Sequence, residues 1–416
     1  MAQTAASFAA VMKDVWTSDT LIKQFEDKNL PLSRFESFKA TMIGTQAQVP
    51  IHNGRSFAYT SVGSAGGDLN PDQAQQVSQA TYTVPQHWFQ IGLETSALTQ
   101  TASNAVAVAK AKDLEIEGAL ENMKHQLVRQ LLTNGDGILA HCASGGPSTT
   151  VSLTPAASEG SKYGYSALVR GWLDVGATVD IGTTADTDAL VTASTITAVN
   201  KSAASPSITI GSSISTTDGT HFVYVPNPNS ATAANTEMNG LRQIVNSSGA
   251  FGGLNPGTAG QEFWQAAARD TTTTVLSLDL LLGFQRAIMQ NGGSHTAIWT
   301  GYKQQGNLYS LLQNQVRFSG DGDLSAGGQQ QVKWNGSTLD AFADVLDTDL
   351  FFLSLPDLVR IATPGASKPT WASDLEGSSR GQLWKQGTTK FVDGIVWPAN
   401  FGAHRRNTHA AATALA

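Results

Sequence analysis

The fold is decided by a stretch of 53 residues, 41–93, which reads TMIGTQAQVPIHNGRSFAYTSVGSAGGDLNPDQAQQVSQATYTVPQHWFQIGL. Only three of its side chains carry charge, namely Arg55, Asp68 and Asp72. Two runs in which apolar and polar residues alternate flank a tip at 62–71 that is rich in Gly, Asn and other turn residues. Alternation with a period of two, interrupted by turn residues, predicts two strands joined by a long loop.

These two predicted strands form a ribbon. The first contains Phe57, Tyr59 and Ser61, and the second runs from Thr81 through Phe89 and Ile91 to Leu93. An isolated two-stranded ribbon is marginally stable in water, and its open edges favour pairing with another chain. The ribbon is therefore either an arm that packs on another subunit or an ordinary hairpin of a larger sheet, and this stretch alone leaves both interpretations open.

Charge is scarce throughout the 416 residues, because 14% of them are charged against about 25% in a typical globular protein. With 41% hydrophobic residues and a net charge of −7, the chain does not have the composition of a disordered protein. Lys and Arg total 26 against 33 Asp and Glu, so there is no basic surplus for binding nucleic acid through its phosphates. Uncharged polar and small residues take the place of charge, which indicates a surface that something else covers.

Several other classes of protein are excluded. The single cysteine, Cys142, excludes a disulfide framework and a cysteine-based zinc site. No apolar run approaches the roughly 18 residues that a membrane helix needs. The mildly apolar run at the N-terminus has no basic residue before it, so it is not a signal peptide. We therefore expect no membrane span and a protein made in a cytoplasm-like compartment.

The first half of the chain predicts an arm, a long helix and a small β unit. Residues 1–40 contain short amphipathic pieces without a core of their own. A helix of about 45 Å is predicted from an N-cap at Ser103 to Asn134. Its apolar face consists of Ile116, Leu120, Met123, Leu127 and Leu131. Residues 163–226 alternate short β-type runs with turns and predict a small all-β unit.

The second half predicts mixed helices and strands. A helix is expected from an N-cap at Ser277 to Asn291, followed by a strand at 297–300 and a helix at 302–313. Strands follow between 350 and 397, and the tail from His404 onward is expected to be loose.

Two glycine motifs suggest catalysis or nucleotide binding, and each lacks its context. Residues Gly135–Ala140 match G-x-G-x-x-A, but they follow a helix, whereas a nucleotide-binding loop follows a strand. Residues Gly377–Gly381 match the nucleophile elbow around Ser379, but no apolar strand precedes them.

Two further motifs suggest metal or thiol chemistry. Asp321 and Asp323 begin like a calcium loop, yet Ala326 stands where Gly is needed and Val332 where Glu is needed. Cys142 is next to a histidine in sequence, although a catalytic dyad requires proximity in space. The eight histidines include no H-x₃-H pair. We therefore predict no catalytic, cofactor-binding or metal-binding residues and no enzyme activity.

The order of elements is an arm, a long uncharged β-loop, a long helix, a mixed α/β region with a β insertion, and C-terminal strands. Local segments add to this order: Tyr163–Leu168, Asn239–Leu241, Phe263–Gln265 and Leu278–Trp299. Together they resemble the major capsid proteins of tailed bacteriophages, which share the HK97-like fold. The resemblance covers nearly the whole chain.

This resemblance implies an α+β HK97-like capsid fold in six parts. They are an N-terminal arm (1–44), an extended β-hairpin loop or E-loop (45–95), a peripheral domain with a long spine helix (96–162), a small β-rich insertion domain (163–235), a mostly axial domain (236–350), and C-terminal strands shared by the peripheral and axial domains with a loose tail (351–416).

The resemblance also implies the function of a coat protein that self-assembles through hexamers and pentamers into an icosahedral head. The shell would enclose DNA without sequence-specific binding, would assemble in the host cytoplasm and would remain in the virion. The expected partners are further copies of the chain, with separate scaffolding, portal and decoration proteins where these exist; no cofactor and no membrane are involved. Six large apolar side chains are expected to contact neighbouring subunits: Trp16, Phe25, Phe57, Tyr59, Trp88 and Phe89.

Two other hypotheses stay open. One is an encapsulin-like compartment shell with the same fold, and the other, from a different class, is a serine hydrolase that uses Ser379.

Some shells of this family are cross-linked between a lysine of the extended loop and an asparagine of a neighbour. This sequence has no lysine between Lys39 and Lys110, so a shell without such cross-links is expected.

Overall fold

The computed structural model describes residues 37–38, 41–43, 46–54, 59–62, 64, 66, 68, 74–94, 105–160, 162–183, 189–226, 237–313, 333–362, 370–371, 383–384 and 390–416. Contacts group these residues into two compact units. The first unit is formed by residues from 85–238 and 362–399, and the second by residues from 35–84, 239–361 and 400–416.

The described strands are, in chain order, β1 (Ser37–Phe38), β2 (Thr41–Ile43), β3 (Gln46–Gly54), β4 (Gln76–Thr83), β5 (Gln86–Glu94), β6 (Ile138–His141), β7 (Gly145–Ser152), β8 (Thr178–Gly182), β9 (Ala189–Asn200), β10 (Ser207–Thr216), β11 (Phe222–Tyr224), β12 (Ala268–Asp270), β13 (Ala297–Thr300), β14 (Lys333–Trp334), β15 (Ser337–Ala341), β16 (Leu350–Leu353), β17 (Leu358–Ala362), β18 (Thr370–Trp371), β19 (Leu383–Trp384), β20 (Lys390–Ala403) and β21 (Ala410–Ala412). The described α-helices are α1 (Ala105–Leu132), α2 (Tyr165–Val169), α3 (Leu241–Ile244), α4 (Leu278–Gln290) and α5 (Tyr302–Gln313).

The long helix predicted in the first unit is present as α1, with 28 residues. It stops just before Gly135, whose φ of +67° lies in the left-handed region that favours glycine after a helix. The apolar stripe of its C-terminal half is buried: Met123, Leu127 and Leu131. The same half places Arg129 in a buried ion pair with Glu237, so both apolar and polar contacts hold this helix in the unit.

A six-stranded sheet with the order β6-β11-β8-β9-β10-β7 forms the β-rich part of the first unit. Four of its strands lie where short β-type runs predicted them, in β8 to β11. The other two, β6 and β7, begin at residue 138, in a region that the sequence assigned to the peripheral domain. Strand β7 reads GGPSTTVS, and because it has almost no apolar side chains its sequence resembled a loop. Such a strand is tolerated here because it lies at the edge of the sheet.

The first unit also contains a nine-residue antiparallel ladder in which 86–94 of β5 pair with 390–398 of β20. Helix α1 packs against β5. The prediction that one strand of the hairpin loop runs from Thr81 to Leu93 is therefore wrong. Pro85 interrupts it, because proline lacks the N–H that a continuous ladder needs, and β5 belongs to a different sheet.

In the second unit, the main sheet has the order β12-β21-β16-β13-β15-β14. All residues of β13 (AIWT) and β16 (LFFL) are buried, as expected for central strands covered on both faces. Helix α4 begins at Ser277, whose Oγ accepts a hydrogen bond from the Leu280 N–H at 3.2 Å, and Asn291 follows its last residue. The predicted bounds of α4, β13 and α5 are thus confirmed. The buried face of α4 packs on the sheet through Leu281, Phe284 and Ile288.

The C-terminal tail is not loose, and this prediction is wrong. Strand β21 lies inside the main sheet, parallel to β12 and antiparallel to β16. Its three residues are alanines with at most 1% exposure. Their small side chains fit a strand that is covered on both faces of the sheet. Because alanine is only weakly hydrophobic, three alanines in the sequence did not indicate a central strand.

Arg406 anchors the same segment. Its buried guanidinium donates hydrogen bonds to the carbonyl oxygens of Ile244 (2.9 Å), Trp264 (2.9 Å), Gln243 (3.1 Å) and Asn246 (2.6 Å). Burial lowers the pKa of Arg406 to about 10, and the group remains charged at neutral pH. A buried charge of this kind is tolerated only when its donors are satisfied, which explains how Arg406 can be internal while its neighbour Arg405 stays exposed.

His409 is fully buried beside this anchor, and its Nδ1 accepts a hydrogen bond from the Ser354 N–H at 3.2 Å. Burial lowers the pKa of His409 from 6.5 to about 4; the negative charge of Asp357 opposes the shift, and the positive charges of Arg406 and Arg405 add to it. Between these two pH values the unfolded chain binds the proton and the folded chain does not. The stability contributed by the neutral imidazole is therefore complete above pH 6.5 and is lost as the pH falls through 4.

We expect this single group to lower the free energy of unfolding by about 3 kcal/mol between pH 7 and pH 4. The variant His409→Asn keeps an acceptor for Ser354 but does not titrate, so its urea unfolding curves should show a correspondingly smaller loss in acid. The control is His52→Asn, an exposed histidine of the same unit, which should follow the parent. An equal acid loss in parent and His409→Asn would contradict the assignment.

Candidate functional site

The described part of the predicted extended loop is an antiparallel ribbon of β3 and β4, hereafter the ribbon. Its register pairs Gln46 with Thr83 and Gly54 with Gln76, and β2 adds a short third strand on the side of β3. A hairpin was expected here, but its first strand was placed at 57–61. That placement is wrong, since 59–62 form no strand, and Phe57 lies outside the described residues.

One face of the ribbon is buried against its own unit. The buried side chains alternate along the two strands and are Ala47, Val49, Ile51, Ala80 and Tyr82. This alternation was present in the sequence, but small residues and glutamines made it weaker than the aromatic run further along. Pro50 lies in β3 beyond the end of β2, where the missing N–H of proline discourages pairing along the open edge.

Tyr82 fixes the root of the ribbon. Its hydroxyl donates to the carbonyl oxygen of Ala403 at 3.1 Å and accepts from the Ala403 N–H at 3.3 Å. Its ring lies between two glycines: a Cβ on Gly252 would be 2.9 Å from it and one on Gly402 would be 2.8 Å away. Burial raises the pKa of Tyr82, so the hydroxyl stays protonated and remains a donor.

Backbone and amide contacts complete the root. The Thr81 N–H donates to the Gly252 carbonyl oxygen at 2.9 Å. The Asn400 side-chain amide donates to the Thr83 carbonyl oxygen at 2.6 Å. These bonds satisfy the edge of β4 at its C-terminal end, where the chain would otherwise expose unpaired backbone groups.

Burial decreases from the root of the ribbon toward its tip. His52, Gln75 and Gln76 are exposed, and the His52 ring hydrogen-bonds to the Gln75 amide. Apolar side chains also face solvent there, with Val77 63% and Tyr59 83% exposed. The ribbon is thus hydrogen-bonded to its own unit at the root, uncharged along its strands, and partly apolar on its exposed surface.

Three of the six predicted contact residues lie within the described part of the chain. Trp16, Phe25 and Phe57 lie outside the described residues. Tyr59 lies near the tip of the ribbon, whereas Trp88 and Phe89 belong to β5 of the first unit. Trp88 is half exposed and its Nε1 donates to the Gln86 side chain at 3.2 Å, while Phe89 is half-buried.

Val62 and Val77 are exposed apolar side chains of the loop region that the sequence pattern did not single out. Their alternation with polar neighbours was visible, but a single valine does not indicate which face of a strand is outward.

The motifs for enzyme chemistry gain no support where they are described. Gly135 and Gly137 link the end of α1 to the start of β6, which is the reverse of the strand-to-helix order of a nucleotide-binding loop. Cys142 is buried, and burial raises the pKa of its thiol to about 12, which disfavours a thiolate nucleophile. The segments around Ser379 and around Asp321 lie outside the described residues.

Among the residues that the structure describes, no group of three or more His, Cys, Asp or Glu side chains could hold a metal ion. A search of the same residues finds no helix long and apolar enough to cross a membrane.

Comparison with known proteins gives a match by structure only. No family model and no curated protein matches the sequence. The structure is similar to a chain of the cyanophage A-1(L) capsid asymmetric unit, with a TM-score of 0.55 and 11% sequence identity over 96% of each chain.

Two weaker similarities are to the capsid of a native GTA particle, with a TM-score of 0.46 and 9% identity over 95% of this chain and 93% of that one, and to the holo-SrpI encapsulin complex from Synechococcus elongatus, with a TM-score of 0.41 and 8% identity over 99% and 97%. The cyanophage match confirms the predicted α+β capsid-protein fold.

The root of the ribbon can be tested with Tyr82→Phe. This change keeps the ring between the two glycines but leaves both backbone groups of Ala403 without their partner, and we expect it to cost about 1–3 kcal/mol of stability. Amide hydrogen exchange should become faster in β3 and β4. Tyr302→Phe, at a tyrosine that is 59% exposed, is the matched control and should leave both stability and exchange unchanged. Unchanged exchange in Tyr82→Phe would show that the hydroxyl does not hold the root.

Proposed function

We propose that this chain, which has the fold of a phage capsid protein, is a major capsid protein that self-assembles into a closed shell. The observation that carries the proposal is the match to the cyanophage capsid chain over 96% of both chains. Because a fold by itself does not fix a function, the physical character of the surface has to agree with it. In a shell of this kind, hexamers and pentamers would form an icosahedral head around the DNA of a tailed phage.

The ribbon has the surface properties that contact with another subunit requires. Its strands carry no charged residue between 46 and 54 or between 76 and 83. Covering such a surface removes few charges from water, and the desolvation of charges is the main cost of burying polar surface. Exposed Val77 and Tyr59 supply apolar area. The partner that fits is a neighbouring copy of the same chain, with Trp16, Phe25, Phe57, Trp88 and Phe89 as further proposed contacts.

The charge balance agrees with a container for DNA. With a net charge of −7 and no basic surplus, the protein has little attraction for phosphates, so it would enclose a genome without binding it by sequence. Assembly in the host cytoplasm, residence in the virion, and association with separate scaffolding, portal or decoration proteins belong to the same proposal.

Electron microscopy of the purified recombinant protein tests the function directly. We expect closed, isometric shells. Shells that contain a protein cargo after expression in a cell would favour the encapsulin-like alternative. A subunit-sized species whose Ser379 reacts with a serine-directed probe would favour the hydrolase and overturn the proposal.

Shortening the loop tests the role of the ribbon. Replacing residues 55–75 by Asn-Gly would close β3 and β4 with a two-residue turn and leave the Tyr82 root intact. We expect a folded protein whose thermal unfolding resembles that of the parent but which forms no closed shells. Closed shells of normal size from this variant would contradict a role of the tip in assembly.

The absence of a lysine in the loop gives a separate prediction. Mature particles heated in denaturing detergent should run as single chains, because no lysine between 39 and 110 can form an isopeptide bond. The same particles treated with a lysine-reactive cross-linker serve as the positive control. A ladder of covalent oligomers without the cross-linker would contradict the prediction.

A further inference from the structure

Helix α4 has a second, outward face that the core does not use. Opposite its buried face, the helix exposes four residues at spacings of three, four and three: Asp279, Leu282, Arg286 and Met289. Leu282 and Met289 are 48% and 58% exposed. This spacing is that of a seam between two packed helices. An open groove of about 370 Å³ runs beside the seam and is lined by Leu282, Gln285, Arg286, Met289 and Gln290.

The charges of this seam have opposite signs and are two turns apart. Within the described residues, the side chains of Asp279 and Arg286 form no ion pair or hydrogen bond. Seven residues along a helix span about 10 Å, so the two cannot pair with each other in one chain. A second copy of the helix in antiparallel orientation brings each of them opposite its complement.

Gly283 gives an independent indication of a close contact. It lies in the middle of α4, where glycine costs about 1 kcal/mol relative to alanine. A Cβ at this position would meet no atom within 4 Å, so packing within the chain does not require glycine here. A glycine in an exposed helix is useful where another surface approaches the backbone.

We infer that α4 forms a two-fold, antiparallel contact with α4 of a second copy of this chain. In this contact Asp279 lies opposite Arg286 of the partner subunit. The two-fold axis then passes between residues 282 and 283, which is halfway between 279 and 286. The same register places Leu282 on Gly283 of the partner subunit, so the apolar side chain enters the space that the missing side chain leaves. Each contact occurs twice, as in any isologous interface.

The contact is small and acts between copies that are already close. Helix α4 has 13 residues and is about 20 Å long, which is too short to bury the roughly 800 Å² per partner of a standard interface. The inference concerns the pairing of two copies and does not depend on whether the assembly is a capsid.

Disulfide trapping tests both the contact and its symmetry. The native Cys142 is buried and does not compete with introduced thiols. In the double variant Asp279→Cys and Arg286→Cys, a two-fold contact gives two disulfides between the same two chains, so non-reducing gels should show a closed dimer. The control pair Asp279→Cys and Gln290→Cys is out of register by about one turn and should stay monomeric.

The other outcomes overturn the inference in different ways. A ladder of trimers and larger species from the first pair would mean that the contact is head-to-tail. No cross-linking in any assembly state would mean that α4 does not meet a second copy.

Charge reversal provides a test that keeps the thiols away from the ion pair. Leu282→Cys and Gly283→Cys lie opposite each other at the centre of the same register, about one turn from each charged residue, and report that register. In this background, Asp279→Arg or Arg286→Asp alone places like charges opposite each other, and dimer trapping at low ionic strength should be at least threefold slower. The two reversals together restore opposite charges in a two-fold contact and should restore the rate. A double reversal as slow as the single ones would overturn the pairing.

Discussion

The second unit depends on one constraint, the burial of the segment from Asn400 to Ala416. Arg406 places a cation inside the protein, and its hydrogen bonds go to backbone carbonyl oxygens at the C-terminal end of α3 and at residues 246 and 264. The same segment supplies β21 to the middle of the main sheet and the backbone of Ala403 to Tyr82. Because a buried guanidinium without partners would be very unfavourable, the end of α3, the sheet and the root of the ribbon have to adopt their positions together.

Charge is distributed between interior and surface in an unusual way. Buried ion pairs, Arg129 with Glu237 and Arg242 with Asp349, hold elements together inside each unit, whereas the ribbon strands carry no charge. A protein with few charged residues has thus used several of them internally. The ribbon strands are therefore polar but uncharged, and another chain can cover them at a lower desolvation cost than an ordinary charged surface.

The two surfaces of the second unit that are proposed to contact other copies differ in their chemistry. The ribbon offers uncharged strands and scattered apolar side chains on a root that Tyr82 and two glycines hold in place. The outer face of α4 offers a short stripe with opposite charges and a glycine. In both places glycine marks a close approach, but at Gly252 and Gly402 the approaching group is Tyr82 of the same chain, whereas at Gly283 the chain supplies none.

The sequence by itself determined the elements whose signal is local. The periodicity of α1, the N-cap at Ser277, the apolar runs of β13 and β16 and the small β unit all follow from side chains a few residues apart. The scarcity of charge in 41–93 is likewise a property of the sequence, and on it the proposed contact with another subunit depends. Only the tertiary structure decided that β5 leaves the ribbon, that Ser- and Thr-rich β7 is an edge strand, and that Ala410–Ala412 form a central strand. These outcomes depend on partners about 60 to 300 residues away, such as β20 for β5 and Ser207–Thr216 for β7, and weakly apolar residues take their structure from such partners because their own propensities differ too little to decide it.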